Sequence, residues 1–174
     1  MYERITLVHV VALAIAVCAC VTDLRSRRIP NLLTFGGALA GVLFHGVTGS
    51  THGLLLSTAG WVVGLMVFLL PFLLGGLGAG DVKLLAALGA WLGPREVAWL
   101  AAYAGIAGAI AALIVALFYS YLSQAFRNIF MLLMHWRVVG LRPLHEVSLA
   151  GSRGPRVAYA VPVLAGLIAT IWLR

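Results

Sequence analysis

Apolar stretches separated by short polar breaks run along the whole chain. Each stretch is rich in Leu, Val, Ile and Ala and carries almost no charge, which is typical of membrane-spanning helices. The pattern therefore predicts an all-α, polytopic membrane protein with six transmembrane helices, forming one domain over residues 1–174. The predicted spans are Leu7–Thr22, Leu32–Val47, Leu54–Leu74, Val82–Leu92, Val97–Leu117 and Val157–Leu173, the last interrupted by Pro162.

Two of the polar breaks carry a carboxylate. Asp23 closes the first span, and Asp81 follows the glycine-rich run 75–80 that is predicted to break the helix before the fourth span. From Asp81 to Pro94 the fourth span covers roughly 20 Å at about 1.5 Å per residue, whereas the hydrocarbon core is about 30 Å thick. Asp81 is therefore expected to be recessed in the membrane, where an ionisable residue points to a functional site.

Composition agrees with a membrane location. The chain is 63% hydrophobic and 10% charged, whereas soluble domains carry about 25% charged residues. The net charge of +7 comes from basic residues in short loops, so we interpret it as topology and contact with anionic membrane lipids. Nucleic acid is not an expected partner, because no stripe of alternating aromatic and basic residues is present.

The basic residues also predict an orientation. If the Asp23 break is cytoplasmic, the Asp81 break and the long basic connection 119–156 lie on the same side, with an interfacial helix over 126–136. That side then holds nine Lys or Arg residues and the other side three, so both termini should face outward. The nine are Arg25, Arg27, Arg28, Lys83, Arg127, Arg137, Arg142, Arg153 and Arg156; the three are Arg4, Arg95 and Arg174.

The same orientation places Asp23 and Asp81 at one membrane face, where they can act as a pair. Two adjacent carboxylates do not readily ionise together, so they can share a proton, with one activating water and the other protonating the substrate. Helix ends suggest how the roles divide. Asp23 ends a helix, where negative charge is disfavoured, and Asp81 begins one, where it is favoured, so Asp81 is expected to be the more readily ionised partner.

Each candidate residue can also be explained by a purely structural role. Asp81 alone would be interpreted as a helix cap, Asp23 as an ion-pair partner of nearby arginines, and Lys83 as a residue that extends its ammonium to the membrane surface or offsets nearby charge. Asn31, directly after Pro30, can cap the second helix. The cysteines are interpreted as buried hydrophobic residues, and the histidines are scattered over both faces, so no metal or other cofactor is expected.

Three motifs resemble the type IV prepilin peptidase family of intramembrane aspartic proteases. They are Asp23-x5-Ile29-Pro30-Asn31; Gly78-Ala79-Gly80-Asp81-Val82-Lys83; and the closing 154–162, Gly-Pro-Arg-Val-Ala-Tyr-Ala-Val-Pro. The third motif departs from the family at Ala158, where proline is usual.

The resemblance implies an aspartic endopeptidase of the bacterial inner membrane that cleaves the basic leader from prepilins or pseudopilins at the cytoplasmic face. Asp23 and Asp81 would be the catalytic dyad, and Gly78, Gly80, Lys83, Pro30 and Asn31 would shape the site or bind substrate. The chain resembles short members that serve tight-adherence (Flp-type) pili and lack the zinc-containing, methyltransferase portion, so methylation is not expected. A small proton- or ion-coupled transporter that uses the two acids as a relay is the alternative.

Overall fold

The protein is described by a computed structural model that covers residues 7–118 and 158–174, together with the isolated residues 127, 130, 131 and 137. All regular structure in the two continuous ranges is helical, which confirms the all-α prediction. The predicted interfacial helix and most of the basic connection lie outside the described residues. The helices are α1 (Leu7–Ser26), α2 (Asn31–Thr48), α3 (Ser50–Leu73), α4 (Ala79–Leu92), α5 (Pro94–Phe118) and α6 (Ala160–Leu173).

Four of these helices, α1, α2, α3 and α5, are long and apolar enough to cross a membrane. The other two, α4 and α6, have 14 residues each in the described part, fewer than the roughly 20 that a full crossing requires. By the length and composition of its helices, the protein is thus a multi-pass membrane protein with four candidate spans in the described residues. Six spans stay a prediction.

Helix ends decide where the two acids lie. α1 continues past the predicted boundary to Ser26, so Asp23 occupies its last turn. The helix is closed by Arg27, whose N–H donates to the Asp23 carbonyl at 2.9 Å and whose φ of 53° lies in the left-handed region. α4 begins at Ala79, so Asp81 occupies its first turn.

The predicted interruption of the last span by Pro162 is wrong. Pro162 is the third residue of α6, where its missing N–H removes no intrahelical hydrogen bond. The proline therefore lies in the first turn of α6, and the helix continues from it to Leu173.

The short helix α4 is the centre of the bundle. Ten of its 14 residues are buried, and it packs against α1, α2, α3 and α5. A helix that is apolar on all sides is stable where other helices surround it. α6 packs against α1 and α5 and so completes the bundle on the side of α1.

Glycines let α3 and α4 approach backbone to backbone. A Cβ at Gly60 would collide with the carbonyl oxygen of Gly89, and a Cβ at Gly89 would collide with that of Gly60. One turn along, a Cβ at Gly64 would lie 2.5 Å from the Leu85 oxygen. The two helices are therefore closer than any pair of side chains would allow, as is typical of helix contacts in lipid.

The carbonyl end of α4 is bound by side chains of neighbouring helices. Ser57 on α3 donates to the Ala90 carbonyl at 2.6 Å, and the His45 Nε2 on α2 lies 2.9 Å from the Trp91 carbonyl. The Trp91 indole in turn donates to the Gly37 carbonyl at 2.8 Å. The bonds to Ala90 and Trp91 satisfy carbonyl groups that a helix end leaves without an intrahelical partner.

Replacing Ser57 with alanine should test the strength of this anchoring. We expect the free energy of unfolding to fall by about 1 kcal/mol, the usual order for a side-chain hydrogen bond between helices in a membrane. The neighbouring Thr58 provides the control, because its exposed hydroxyl bonds the Leu54 carbonyl of its own helix. Equal losses for Ser57→Ala and Thr58→Ala in detergent unfolding would show that the contact with α4 contributes nothing.

Candidate active site

Asp81 is the buried acid of the site, with 9% of its surface exposed. Gly78 precedes α4 in extended conformation, and its N–H donates to the Asp81 Oδ2 at 3.2 Å. A Cβ at Gly78 would lie 3.1 Å from that same oxygen. The glycine therefore supplies a hydrogen bond to the carboxylate and also leaves the space beside it open.

Asp23 approaches the same region from α1. Its Oδ2 accepts a hydrogen bond from the N–H of Ala160, the first residue of α6, at 3.4 Å. Asp81, on a helix that packs against α1, lies within electrostatic range of Asp23. The acids of two helices thus lie at one end of the bundle.

Tyr159 links the start of α6 to the site. It directly precedes Ala160, whose N–H bonds Asp23, and its phenol group lies within electrostatic range of Asp81. The ring packs edge-on against Phe68 with centroids 5.6 Å apart. The start of α6 is therefore part of the surroundings of both carboxylates.

The turn between α1 and α2 closes over the start of α4. The Lys83 Nζ donates to the Asn31 Oδ1 at 3.0 Å and lies 5.1 Å from the centre of the Phe35 ring. The Cα of Gly80 faces Ile29, which a Cβ there would touch at 3.4 Å. These contacts hold the turn that follows Asp23 against the helix that carries Asp81.

The predicted capping role of Asn31 is wrong. Pro30 is the N-cap of α2, with φ −60° and ψ 135°, and no side chain caps this helix. Asn31 instead uses its side chain to accept a hydrogen bond from Lys83. The lysine therefore has a specific neutral partner and an aromatic ring beneath it, an arrangement that orients an ammonium group.

The structure brings the predicted site residues together at one end of the bundle, namely Asp23, Pro30, Asn31, Gly78, Gly80, Asp81 and Lys83. Two further positions, Tyr159 and Ala160, belong with them and have no assigned role in the sequence interpretation. The only sequence signal for them is the closing motif, which contains both residues.

The site offers two carboxylates and few other ligand atoms. Among residues 7–118 and 158–174, no three His, Cys, Asp or Glu side chains gather as a metal ligand set. Two carboxyl groups that lie close together can share one proton, because one holds it while the other stays ionised.

Comparison with known protein families identifies the family of the chain. Residues 10–122 match the model of the type IV leader peptidase family. The chain belongs to the type IV leader peptidase family. Family membership implies a protease, and the matched range includes Asp23 and Asp81 but ends before α6. No curated protein and no solved structure matches the chain.

Proposed function

We propose that this leader peptidase is an intramembrane aspartic endopeptidase that removes the basic leader of type IV prepilins. The observation that carries the proposal is the placement of Asp23 and Asp81, on two helices that pack together, at one end of an apolar bundle. Membrane proteins rarely retain buried acids without a function. Of the groups at this site, the two carboxyl groups are the best suited to activate water.

The reaction needs only the two carboxyl groups and a water molecule. One carboxylate takes a proton from water, whose oxygen attacks the scissile carbonyl carbon. The other carboxyl group protonates the amide nitrogen, and the C–N bond breaks. The products are a leader with a new carboxylate and a mature pilin with a new amino group, and the pair returns to its singly protonated state.

The surroundings of the acids change the expected division of roles. Helix ends alone favour charge on Asp81, but Asp23 also lies at a helix start, because it accepts a hydrogen bond from the first residue of α6. The two acids differ in burial, since Asp81 is buried and Asp23 is partly exposed. Because burial disfavours the charged form by more than one helix end favours it, Asp81 is proposed to start as the acid and Asp23 as the base.

The membrane arrangement suits a substrate that is itself an apolar helix. We place the paired acids at the cytoplasmic face, with α4 and α6 completing six spans and both termini outside, as the distribution of basic residues predicts. α4 is about 21 Å long at roughly 1.5 Å per residue, so Asp81 lies below that face. The prepilin would meet it without leaving the lipid, and Flp-type prepilins are the proposed substrates.

The proposal is tested by reconstituting the purified protein in liposomes with a purified Flp-type prepilin. We expect one cut between the basic leader and the apolar segment, identified by mass spectrometry of both products. A prepilin with leader and apolar segment exchanged in order serves as the matched control and should remain intact. An intact prepilin, together with a proton flux across the same liposomes, would favour the transporter alternative instead.

A further inference from the structure

The start of α6 lies outside the range matched by the family, yet it bonds one acid of the pair and lies near the other. The Ala160 N–H donates to Asp23, and Tyr159 lies within the field of Asp81. The dipeptide therefore lies beside both acids.

The Tyr159 ring is held by side chains and backbone of two other helices. Phe68 on α3 packs against it, and its hydroxyl lies 3.5 Å from the Ala104 carbonyl on α5 as a donor. Gly108, one turn further along α5, makes room for it, because a Cβ there would lie 2.8 Å from both the Tyr159 Cε2 and Oη. The position of the ring thus depends on a site that only glycine leaves open.

We infer that Tyr159 is a positioning residue, which seats the start of α6 so that the Ala160 N–H holds Asp23 towards Asp81. This role rests on the proposed function. A carboxyl pair that shares a proton depends on the distance between its members, and a displacement of about 1 Å can lower a rate by about 10²-fold.

The test moves the ring without touching the acids. In Gly108→Ala the new methyl group displaces the ring, whereas Gly105→Ala adds the same group to the same helix where no atom lies within 4 Å. We expect Gly108→Ala to lower kcat for leader cleavage by about 10²-fold with KM unchanged. Gly105→Ala should behave as the parent.

Substitutions of the tyrosine itself complete the series. Tyr159→Leu should lower kcat as Gly108→Ala does, and Tyr159→Phe should retain the parent rate because the ring remains. Tyr103→Leu is the matched control, since Tyr103 stacks with Trp99 elsewhere on α5. If Gly108 acts through the ring, the double variant Gly108→Ala/Tyr159→Leu should be no slower than Tyr159→Leu alone.

All rates are measured per folded molecule, with thermal unfolding of each variant recorded alongside. Losses that disappear after this correction, or that are equal in Gly108→Ala and Gly105→Ala, would show that Tyr159 only packs the bundle and would overturn the inference. Such a result would not contradict the proposed function, because the parent protein would still cleave the leader. An inactive parent would refute the proposed function itself.

Discussion

Replacing Asp81 with asparagine is expected to abolish leader cleavage while the protein keeps its fold. Asparagine has nearly the same shape and can still accept the hydrogen bond from the Gly78 N–H, but it neither takes nor gives the shared proton. General acid–base catalysis contributes up to about 10⁴-fold, and we expect a loss of that order. Asp23→Asn should lose as much, because the two groups act as one unit.

The stability of these variants separates chemistry from folding. Asp81 is buried and interacts with a second carboxylate, so a neutral amide should leave the free energy of unfolding unchanged or raise it. Glu96, in the first turn of α5, provides the matched control, and Glu96→Gln should cleave at the parent rate. Cleavage is measured by the shift of the prepilin band in liposomes. Processing by Asp81→Asn at the parent rate would contradict the dyad.

Replacing Gly60 with alanine is expected to destabilise the protein strongly for the addition of a single methyl group. The new Cβ would enter the space of the Gly89 carbonyl oxygen, and neither backbone can turn aside within a helix. Overpacking of this kind costs about 3 kcal/mol. Because α4 carries Asp81 in its first turn, separation of α3 from α4 should lower the cleavage rate as well.

Gly36 is the control for this effect. It lies on α2 with its nearest neighbour, the Leu32 Cδ1, 4.0 Å from an added Cβ. Gly36→Ala should therefore be neutral or slightly stabilising, since alanine favours a helix over glycine by about 1 kcal/mol. Thermal unfolding in detergent compares the two variants. A Gly60→Ala protein as stable as the parent would mean that α3 and α4 do not approach as closely as the structure indicates.

Hydropathy predicts the helices because lipid exposure demands long apolar runs. The described helices begin and end within a few residues of their predicted bounds, and the two acids were identifiable because each interrupts such a run. The sequence does not predict the central position of α4 in the bundle. Its length predicts only a recessed segment, and burial on all sides follows from packing with four other helices.

The contacts that assemble the site join residues that are far apart in the sequence. Lys83 and Asn31 are 52 residues apart, and Ala160 and Asp23 are 137 apart. No local pattern encodes such pairs, so a capping role for Asn31 was the natural local expectation. For the same reason Tyr159 had no assigned role, since its neighbours Phe68 and Gly108 belong to two other helices.

The bonds at the far end of α4 also limit how a substrate can enter. Ser57 and His45 tie its last carbonyls to α3 and α2, and Gly93 closes it with φ 82° and an N–H bond to Gly89. A helix whose end is hydrogen-bonded to two neighbouring helices resists sliding along its axis and tilting. Under the proposed function we therefore expect Asp81 to stay in place, while α1 or α6, which carry Asp23 and its backbone donor, move to let a pilin helix reach the acids.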